Sequence, residues 1–409
     1  KEKGQYYMKT ITQTIDININ NQLCIKNNLF FDIETTGFSR TGCFCYLIGV
    51  SFTDGRHFTV IQWLAEDASD EPLLIHKFCE LAENFSSIIH FNGDNFDIPF
   101  LTKRAAIHNI PLNLDNMRSI DLFKHAKGLK SILRLESYNQ TTVEHFLGIH
   151  RNDTYTGGEL IKVYKEYIKN DQLPAKHADS EKLLLLHNFE DICGLIKISS
   201  IVSYNNIINK HISYKDIEYT PAYDIADEAK QSDNISSTAY ITLSFSLPEE
   251  LPVSVLLKDE YYVLRAEHST LKLRLPVITG ILKYFYPNYK DYYYLPYEDT
   301  AMHKSIAAYV DSECRIKATK ETCYTKKHGT FIMIPSYSGD MTVFKKDYND
   351  KNVYLILDPE STDKTVSDYD TEAIKNMLSM DIIHETAYAI ITFFYKRTVH
   401  YTHNQDPYS

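Results

Sequence analysis

The chain has no apolar run of the ~18 residues a helix needs to cross a bilayer, so a helical membrane anchor is excluded and no membrane partner is expected. It also lacks an excess of positive charge: 43 Lys and Arg stand against 54 Asp and Glu, a net charge of -11. A protein that coats nucleic acid indiscriminately is basic, so any nucleic acid here must be held by a local patch. The cysteines, Cys24, Cys43, Cys45, Cys79, Cys193, Cys314 and Cys323, contain no matching Cys-x2-Cys pairs, which excludes a zinc-ribbon pattern. Their odd number and the lack of a secretory leader point to a reducing cytoplasm. Internal repeats and low-complexity tracts are missing too. The opening "KEKGQYYMKT" has two readings, a natural start or leader residues before a start at Met8.

What is present is an ordinary globular composition, 44% hydrophobic and 24% charged over 409 residues. That length exceeds one core and predicts two domains. "LFFDI" (29–33) reads as a buried strand, and "CFCYLIGVSF" and "RHFTVIQW" as a hairpin joined by "TDG". Helical spacing follows over 71–85, then a strand over 86–93. "FDIPFLTKRAAIHN" reads as a helix with Pro99 in its first turn, where a missing N–H costs nothing. "NMRSIDLF" is a short strand, followed by a helical stretch to about residue 150 and a long apolar helix over 180–203. This order predicts an α/β mixed sheet with a hairpin edge and helices on its faces. Past residue 213 tyrosine becomes frequent and alternating strands dominate, with one helix near 371–380 and a strand near 386–395. The expected organisation is an N-terminal extension (1–25), an α/β domain (26–212) and a β-rich, α+β accessory domain (213–409), with the boundary inside 210–220.

The chemistry gathers at three places. In "FFDIETTGF", strand alternation puts Asp32 and Glu34 on one side of the backbone, about 7 Å apart at ~3.3 Å per residue. An isolated D-x-E is usually a solvated strand end. Two further segments change that reading. "HFNGDNFDIPFL" puts Asp97 at the start of a helix, and "HNFEDICGL" puts Asp191 inside an apolar helix, four residues after His187. A buried carboxylate is costly unless paired or ligated. Four carboxylates from three segments suit two divalent cations with oxygen ligands, Mg²⁺ or Mn²⁺. Such a pair stabilises the attacking and leaving oxygens of a phosphodiester. His187 shares a helix face with Asp191, and a histidine that titrates near neutrality suits a general base; a core histidine bonded to a carbonyl is the plainer alternative.

In this order "FDIETTG", "NGDNFD" and "HNFED" resemble the three motifs of the DEDD superfamily of 3′–5′ exonucleases, most closely the bacterial YprB-like ribonuclease H-like domains. "LESYNQTTVEHFLGIHR" (135–151) and "GGELIKVYKEYI" resemble the segment those domains carry before the third motif, so the likeness spans roughly 26–205. It implies a ribonuclease H-like fold, with Asp32, Glu34, Asp97 and Asp191 holding two ions. The implied substrate is DNA or RNA that is single-stranded or has a free 3′ end. Asp97, after the aromatic, is the match in the second motif; Asp94 is a loop residue. In one branch of the superfamily a His lies five residues before the last Asp, and in another a Tyr lies four before it. Here a His lies four before, a departure that bears on the base and not on the metal ligands.

Around these, Thr35, Thr36 and Gly37 let a terminal nucleotide approach the backbone or form a plain turn. Phe38 stacks under a base or joins the core. Asn92 fixes the loop before Asp97, and Asp121 supports the site or caps the next helix. "KHAKGLKSILR" (124–134) tracks a phosphate backbone or is a solvated helix face. In the accessory domain, Arg315, Lys317, Lys320, Lys326 and Lys327 form a basic stretch near tyrosines, which suits single-stranded nucleic acid; good strands and protein docking are the other readings. A proofreading fragment of a family B polymerase fits poorly, since the remaining chain has no D-T-D run and no length for fingers, palm and thumb. A nucleic-acid-binding or assembly protein with a degenerate site is the alternative of another class. The sequence names no protein partner.

Overall fold

A computed structural model of the chain describes residues 8–17, 23, 27–114, 116–153, 155–169, 174–221, 239–337, 341–359 and 364–397. Cys24 and the residues before Met8 lie outside these. The chain divides into two units, Lys1–Asn205 with Leu251–Val253, and Asn206–Glu250 with Ser254–Ser409. No helix among the described residues is long and apolar enough to cross a membrane. The cysteines described there, Cys43, Cys45, Cys79, Cys193, Cys314 and Cys323, are free thiols.

The first unit is built on strands β1 (Lys9–Ile15), β2 (Asn28–Thr35), β3 (Cys45–Thr53), β4 (Phe58–Leu64), β5 (Ser87–His90) and β6 (Arg118–Asp121). They form one mixed sheet in the order β1-β4-β3-β2-β5-β6. β1 to β4 and β2 to β3 pair antiparallel, whereas β2-β5 and β5-β6 are parallel. β1 falls within the expected 1–25 extension and pairs with β4 from Lys9↔Leu64 to Ile15↔Phe58. The β3–β4 hairpin turns where "TDG" predicts it, with the Asp54 carboxylate accepting from the Arg56 and His57 amides at 2.8 and 3.1 Å.

Helices α1 (Glu71–Ala82), α2 (Asp97–Ile107), α3 (Leu122–Gly128), α4 (Lys130–Leu133), α5 (Gln140–Phe146), α6 (Gly157–Lys169) and α7 (Pro174–Ile198) surround the sheet. Leu29, Phe30 and Phe31 of β2 are buried, as a central strand covered on both faces requires. The apolar face of α7, with Leu184, Ile192 and Leu195 buried, packs across β2, β3 and β4. This mixed sheet with flanking helices is the ribonuclease H-like architecture. Buried Glu71 ties it together: it accepts from the Cys45 amide at 2.8 Å, from Arg104 Nε at 2.8 Å and from His108 at 2.6 Å, joining α1, α2 and β3.

The second unit begins within the short helix α8 (Asn205–Ile208). Strands β7 (Ser213–Thr220), β8 (Ala239–Ser246), β9 (Val255–Lys258), β10 (Val263–Glu267) and the long β11 (Thr270–Phe285) form an antiparallel sheet with two later strands, β15 (Tyr324–Ile334) and β16 (Val353–Ile356). Between them, β12 (Tyr292–Leu295), β13 (Thr300–His303), α9 (Lys304–Ala307) and β14 (Ile316–Lys317) make a small three-stranded sheet. Helices α10 (Thr371–Met377) and α11 (Met380–Lys396) close the described chain.

One expectation is overturned here. The segment 386–395 is helix, not strand. Its β-branched residues favour a strand locally, but Ile383, Ala387, Ile390, Ile391 and Phe394 recur at helical spacing and are buried together, and Ser379 caps the helix start. Only Ile316–Lys317 of "RIKATKETCYT" pairs as a strand before β15 begins at Tyr324.

Candidate active site

Three elements converge at the end of β2. β2 carries Asp32 and Glu34, the first turn of α2 carries Asp97, and α7 carries His187 and Asp191. β5 pairs with β2 only as far as Phe30. Beyond that point the Ile33 amide donates to the Asp97 carboxylate, together with Asp97's own amide. The expected carboxylates are therefore brought together, and each feels the others.

Burial pushes Asp32 well above the usual carboxylate range, and the charges of Asp191, Asp97 and Glu34 add to it; one donor, Asn188 Nδ2 at 3.1 Å, acts the other way. Burial lifts Glu34 to about 8 despite the opposing charge of His187. Burial also lifts Asp97 to about 7, against the two amide hydrogen bonds, with Asp121 and Asp191 adding repulsion. Asp191 goes the opposite way. Burial would raise it, but His187 and Arg151 hold it below the ordinary value. Burial would lower His187, yet the hydrogen bond and charge of Asp191, then Glu34 and Asp153, raise it to about 9.

His187 Nε2 lies 3.0 Å from Asp191 Oδ2 and 3.4 Å from Glu34 Oε1, while Nδ1 contacts Asp153 Oδ2. Glu34, His187 and Asp191 offer ligand atoms close enough to share one ion. Asn188, beside His187, reaches Asp32 because α7 approaches the sheet at Gly49, the strand partner of Asp32. A Cβ on Gly49 would stand 2.1 Å from Asn188 Oδ1. Gln62 of β4 completes that contact, donating to Asn188 Oδ1 at 3.0 Å and to the Leu185 carbonyl at 2.9 Å.

The flanking residues divide. Thr35 Oγ1 donates to the Gly37 carbonyl at 3.0 Å, and the Thr36 amide donates to the Phe44 carbonyl at 3.0 Å, closing a turn after the first motif. Gly37 sits at φ 155°, and a side chain there would meet Cys43 Sγ at 2.8 Å. Phe38 is 86% exposed and meets Phe96 edge to face at 5.9 Å, so it is not core. Asn92 adopts a left-handed φ of 62° and accepts from Asn95 Nδ2 at 2.7 Å, shaping the loop that delivers Asp97. Asp121 caps α3 through the Phe123 amide at 3.0 Å and also accepts the Asn92 amide at 2.8 Å.

Arg151, Asp153, Glu144 and Asn188 were not singled out from sequence. The signals were an acidic Glu144 in the helix α5 and Gly194 one turn after Asp191. A Cβ on Gly194 would stand 2.0 Å from Glu144 Oε1, so α5 and α7 touch there.

The chain matches the family model of the RNase_H superfamily over residues 29–203. Those residues form a ribonuclease H-like domain. The match begins in β2 and ends just past α7, so it spans all three carboxylate-bearing elements. Among solved structures, the chain is similar to the family B DNA polymerase of the hyperthermophilic archaeon Pyrobaculum calidifontis, at 16% identity and a TM-score of 0.35, over 43% of this chain and 24% of the polymerase. It is also similar to exonuclease I, at 11% identity and a TM-score of 0.25, over 91% of this chain and 74% of that one. A chain of the ExoI/SSB-Ct complex gives 10% identity and a TM-score of 0.24, over 89% and 74%. At such TM-scores the fold of the domain rests on the family match and the sheet itself. No curated protein matches the chain.

Proposed function

We propose that residues 29–203 are a metal-dependent nuclease of the DEDD type, a 3′–5′ exonuclease that hydrolyses phosphodiester bonds of DNA or RNA. The observation that carries this reading is the uncompensated charge at the end of β2. Asp32, Glu34 and Asp97 are crowded where burial and mutual repulsion push all three upward. Such a set fits hard divalent cations with oxygen ligands, Mg²⁺ or Mn²⁺, and Asp32, Glu34, Asp97 and Asp191 would hold two of them. When bound, the cations polarise the scissile phosphate, acidify the attacking water and stabilise the leaving oxygen. An assembly protein with a decayed site would be expected to have lost a carboxylate, and all four are present.

The chain's own groups then have distinct tasks. His187 takes the water proton at Nε2, while Asp153 holds Nδ1 and steadies the imidazolium. With Asp191 and Glu34 engaged by a cation, their charge would raise His187 less, which would leave Nε2 free to act as a base. The turn Thr35–Thr36–Gly37 offers backbone to the terminal nucleotide. Phe38, with Phe96 beside it, presents an exposed ring on which a base stacks. Asn92 keeps the loop in register. The segment 135–151, with the three motifs, favours a YprB-like branch, and the unpatterned cysteines favour the cytoplasm.

The accessory unit's basic stretch is partly committed within the protein. Lys326 pairs with Asp299, Lys327 donates to the Pro359 carbonyl at 3.0 Å, and Arg315 lies 5.1 Å over the Tyr293 ring. Lys317, exposed opposite Tyr293, has the freer position to meet a strand. Changing Lys317, Lys326 and Lys327 together to Gln should therefore flatten the dependence of log K on log salt by only about one phosphate contact, ~0.7–0.9 in slope. An unchanged slope removes the unit's nucleic-acid role.

The deciding experiment is a time course on 5′-labelled DNA and RNA oligonucleotides with Mg²⁺ or Mn²⁺. A descending ladder of products is expected. Discrete internal cuts would make the enzyme an endonuclease, and cleavage undiminished in EDTA would refute the metal mechanism.

A further inference from the structure

We propose that the loop 151–153 is a positioning clamp for the third motif, with Arg151 setting Asp191 and Asp153 setting His187; the proposal rests on the nuclease reading above. Arg151 Nη1 lies 2.7 Å from Asp191 Oδ1, while the same guanidinium grips Glu144 through Nε and Nη2 at 2.5 and 2.6 Å. Glu144 is fully buried and backs directly onto Gly194 of α7, so the guanidinium has a rigid seat. A planar fork held at two points fixes the direction of its remaining N–H bonds. Asp191 is thereby oriented with Oδ1 on Arg151 and Oδ2 facing His187.

The second arm is Asp153. Its Oδ2 contacts His187 Nδ1, and its Oδ1 accepts the Tyr155 amide at 3.1 Å. A carboxylate on Nδ1 selects the tautomer and turns Nε2 toward the carboxylates. The loop is in turn fastened by α7 itself. Glu190, next to Asp191, accepts from the Asn152 amide at 3.0 Å, the Asn152 side chain at 3.0 Å and the Asp153 amide at 2.8 Å. Three consecutive loop residues thus engage α7 at His187, Glu190 and Asp191. A loop that only covered the helix would not need to point one cation and one anion at the two reacting-site groups. Partners of this kind hold ligand orientation, and their loss costs about 10–100-fold in metal affinity or activity.

The test uses the full chain, Mn²⁺ alone as the probe in thermal-shift titrations, and kinetics on a labelled oligonucleotide. Arg151→Met is paired with Glu144→Gln so that no buried carboxylate is left unpaired. The double variant should raise the half-saturating Mn²⁺ concentration about 10–100-fold and lower kcat, with KM for the oligonucleotide within about twofold. Arg151→Lys keeps a cation beside Glu144 and loses the fork; it should shift the same way by a smaller factor, and it carries the test if the double variant does not fold. Asp153→Asn should lower kcat while leaving the Mn²⁺ midpoint in place. Parent-like midpoints and kcat in folded Arg151 variants overturn the clamp alone. A parent protein that neither shifts with Mn²⁺ nor cleaves overturns the nuclease reading and the clamp with it.

Discussion

At the C-terminal ends of the three parallel strands of the first unit, a histidine lies among carboxylates twice: His187 with Glu34 and Asp191, and His90 with Asp94 and Asp121. The residue types are nearly the same, and the electrostatics are opposite. His90 accepts the Gly93 amide on Nδ1 at 3.0 Å and faces Ser119 Oγ with Nε2 at 2.8 Å, so neither nitrogen keeps a lone pair for an ion. Burial lowers His90, more than the charges of Asp121 and Asp94 raise it. Asp94 is exposed at one side, and Lys124 and Ser119 hold it below the ordinary value against the burial it has. Asp121 is engaged by two backbone amides. Apart from Asp121 Oδ2, a buried oxygen with no hydrogen-bond partner, that cluster is paired within itself and with backbone amides, and it shapes the loop that delivers Asp97. In the other, burial and the crowding of like charges push Asp32, Glu34 and Asp97 upward, Asp97 in spite of its two amide donors. The comparison teaches that similar ligand-type residues differ in how their neighbours balance them: the set proposed to hold cations is the one whose carboxylates are left repelling one another.

The sharpest way to break this contrast is Asp32→Asn. It should lower kcat/KM by at least about 10³-fold, several kcal/mol of transition-state stabilisation, as a lost metal ligand would. It should also abolish the Mn²⁺-induced rise in Tm while raising the Tm of the metal-free protein, because a buried like charge is removed. Retained activity in this variant would put the chemistry elsewhere. His187→Ala comes next, with an expected loss of about 10²–10⁴-fold in kcat. If its rate and pH profile match the parent with metal binding intact, His187 is not the base.

The third effect is on stability and pH in EDTA. Glu34 rises from 4.5 to about 8 on folding, and Asp97 from 3.8 to about 7, so between those limits the folded protein keeps protons that the unfolded chain releases. His187, raised from 6.5 to about 9, contributes stability below its unfolded value that is lost as pH rises through the folded one. All three act in one direction: the metal-free protein should lose stability from about pH 5 to pH 9, by up to about 1.4 kcal/mol per pH unit for each proton. Asp191, depressed on folding, adds stability that disappears only as pH falls below the usual carboxylate range. Saturating Mn²⁺ should flatten the alkaline decline. A Tm of the metal-free protein that climbs over this range would contradict the charge balance described. The smallest effect belongs to the His90 cluster: Asp94→Asn should leave the Mn²⁺ midpoint within about twofold, since Lys124 and Ser119 already hold that carboxylate. A tenfold shift there would make both clusters cation sites.

Much of this was legible in the residues themselves. A carboxylate in the apolar run of β2, a second opening α2 and a third inside the apolar face of α7 are each costly alone, and that cost marks them without any coordinates. The mixed sheet followed from the same runs, because strand and helix periods are local properties of the chain. The helix at 386–395 was misread because β-branched residues and a short window favour a strand, while the burial that makes it helical comes from packing partners distant in sequence. Spacing along the chain could not distinguish Asp97 in the site from Asp94 paired with Lys124; the family motif chose between them, and the tertiary structure supplies the physical reason in the amides of Ile33 and Lys124's charge. Nor could it reveal Arg151 and Asp153, which gain meaning only when their loop folds against α7. The sequence determined which groups are costly to bury. Only the tertiary structure decided which of them are neutralised at home, because charge balance depends on distances that cross from one element to another.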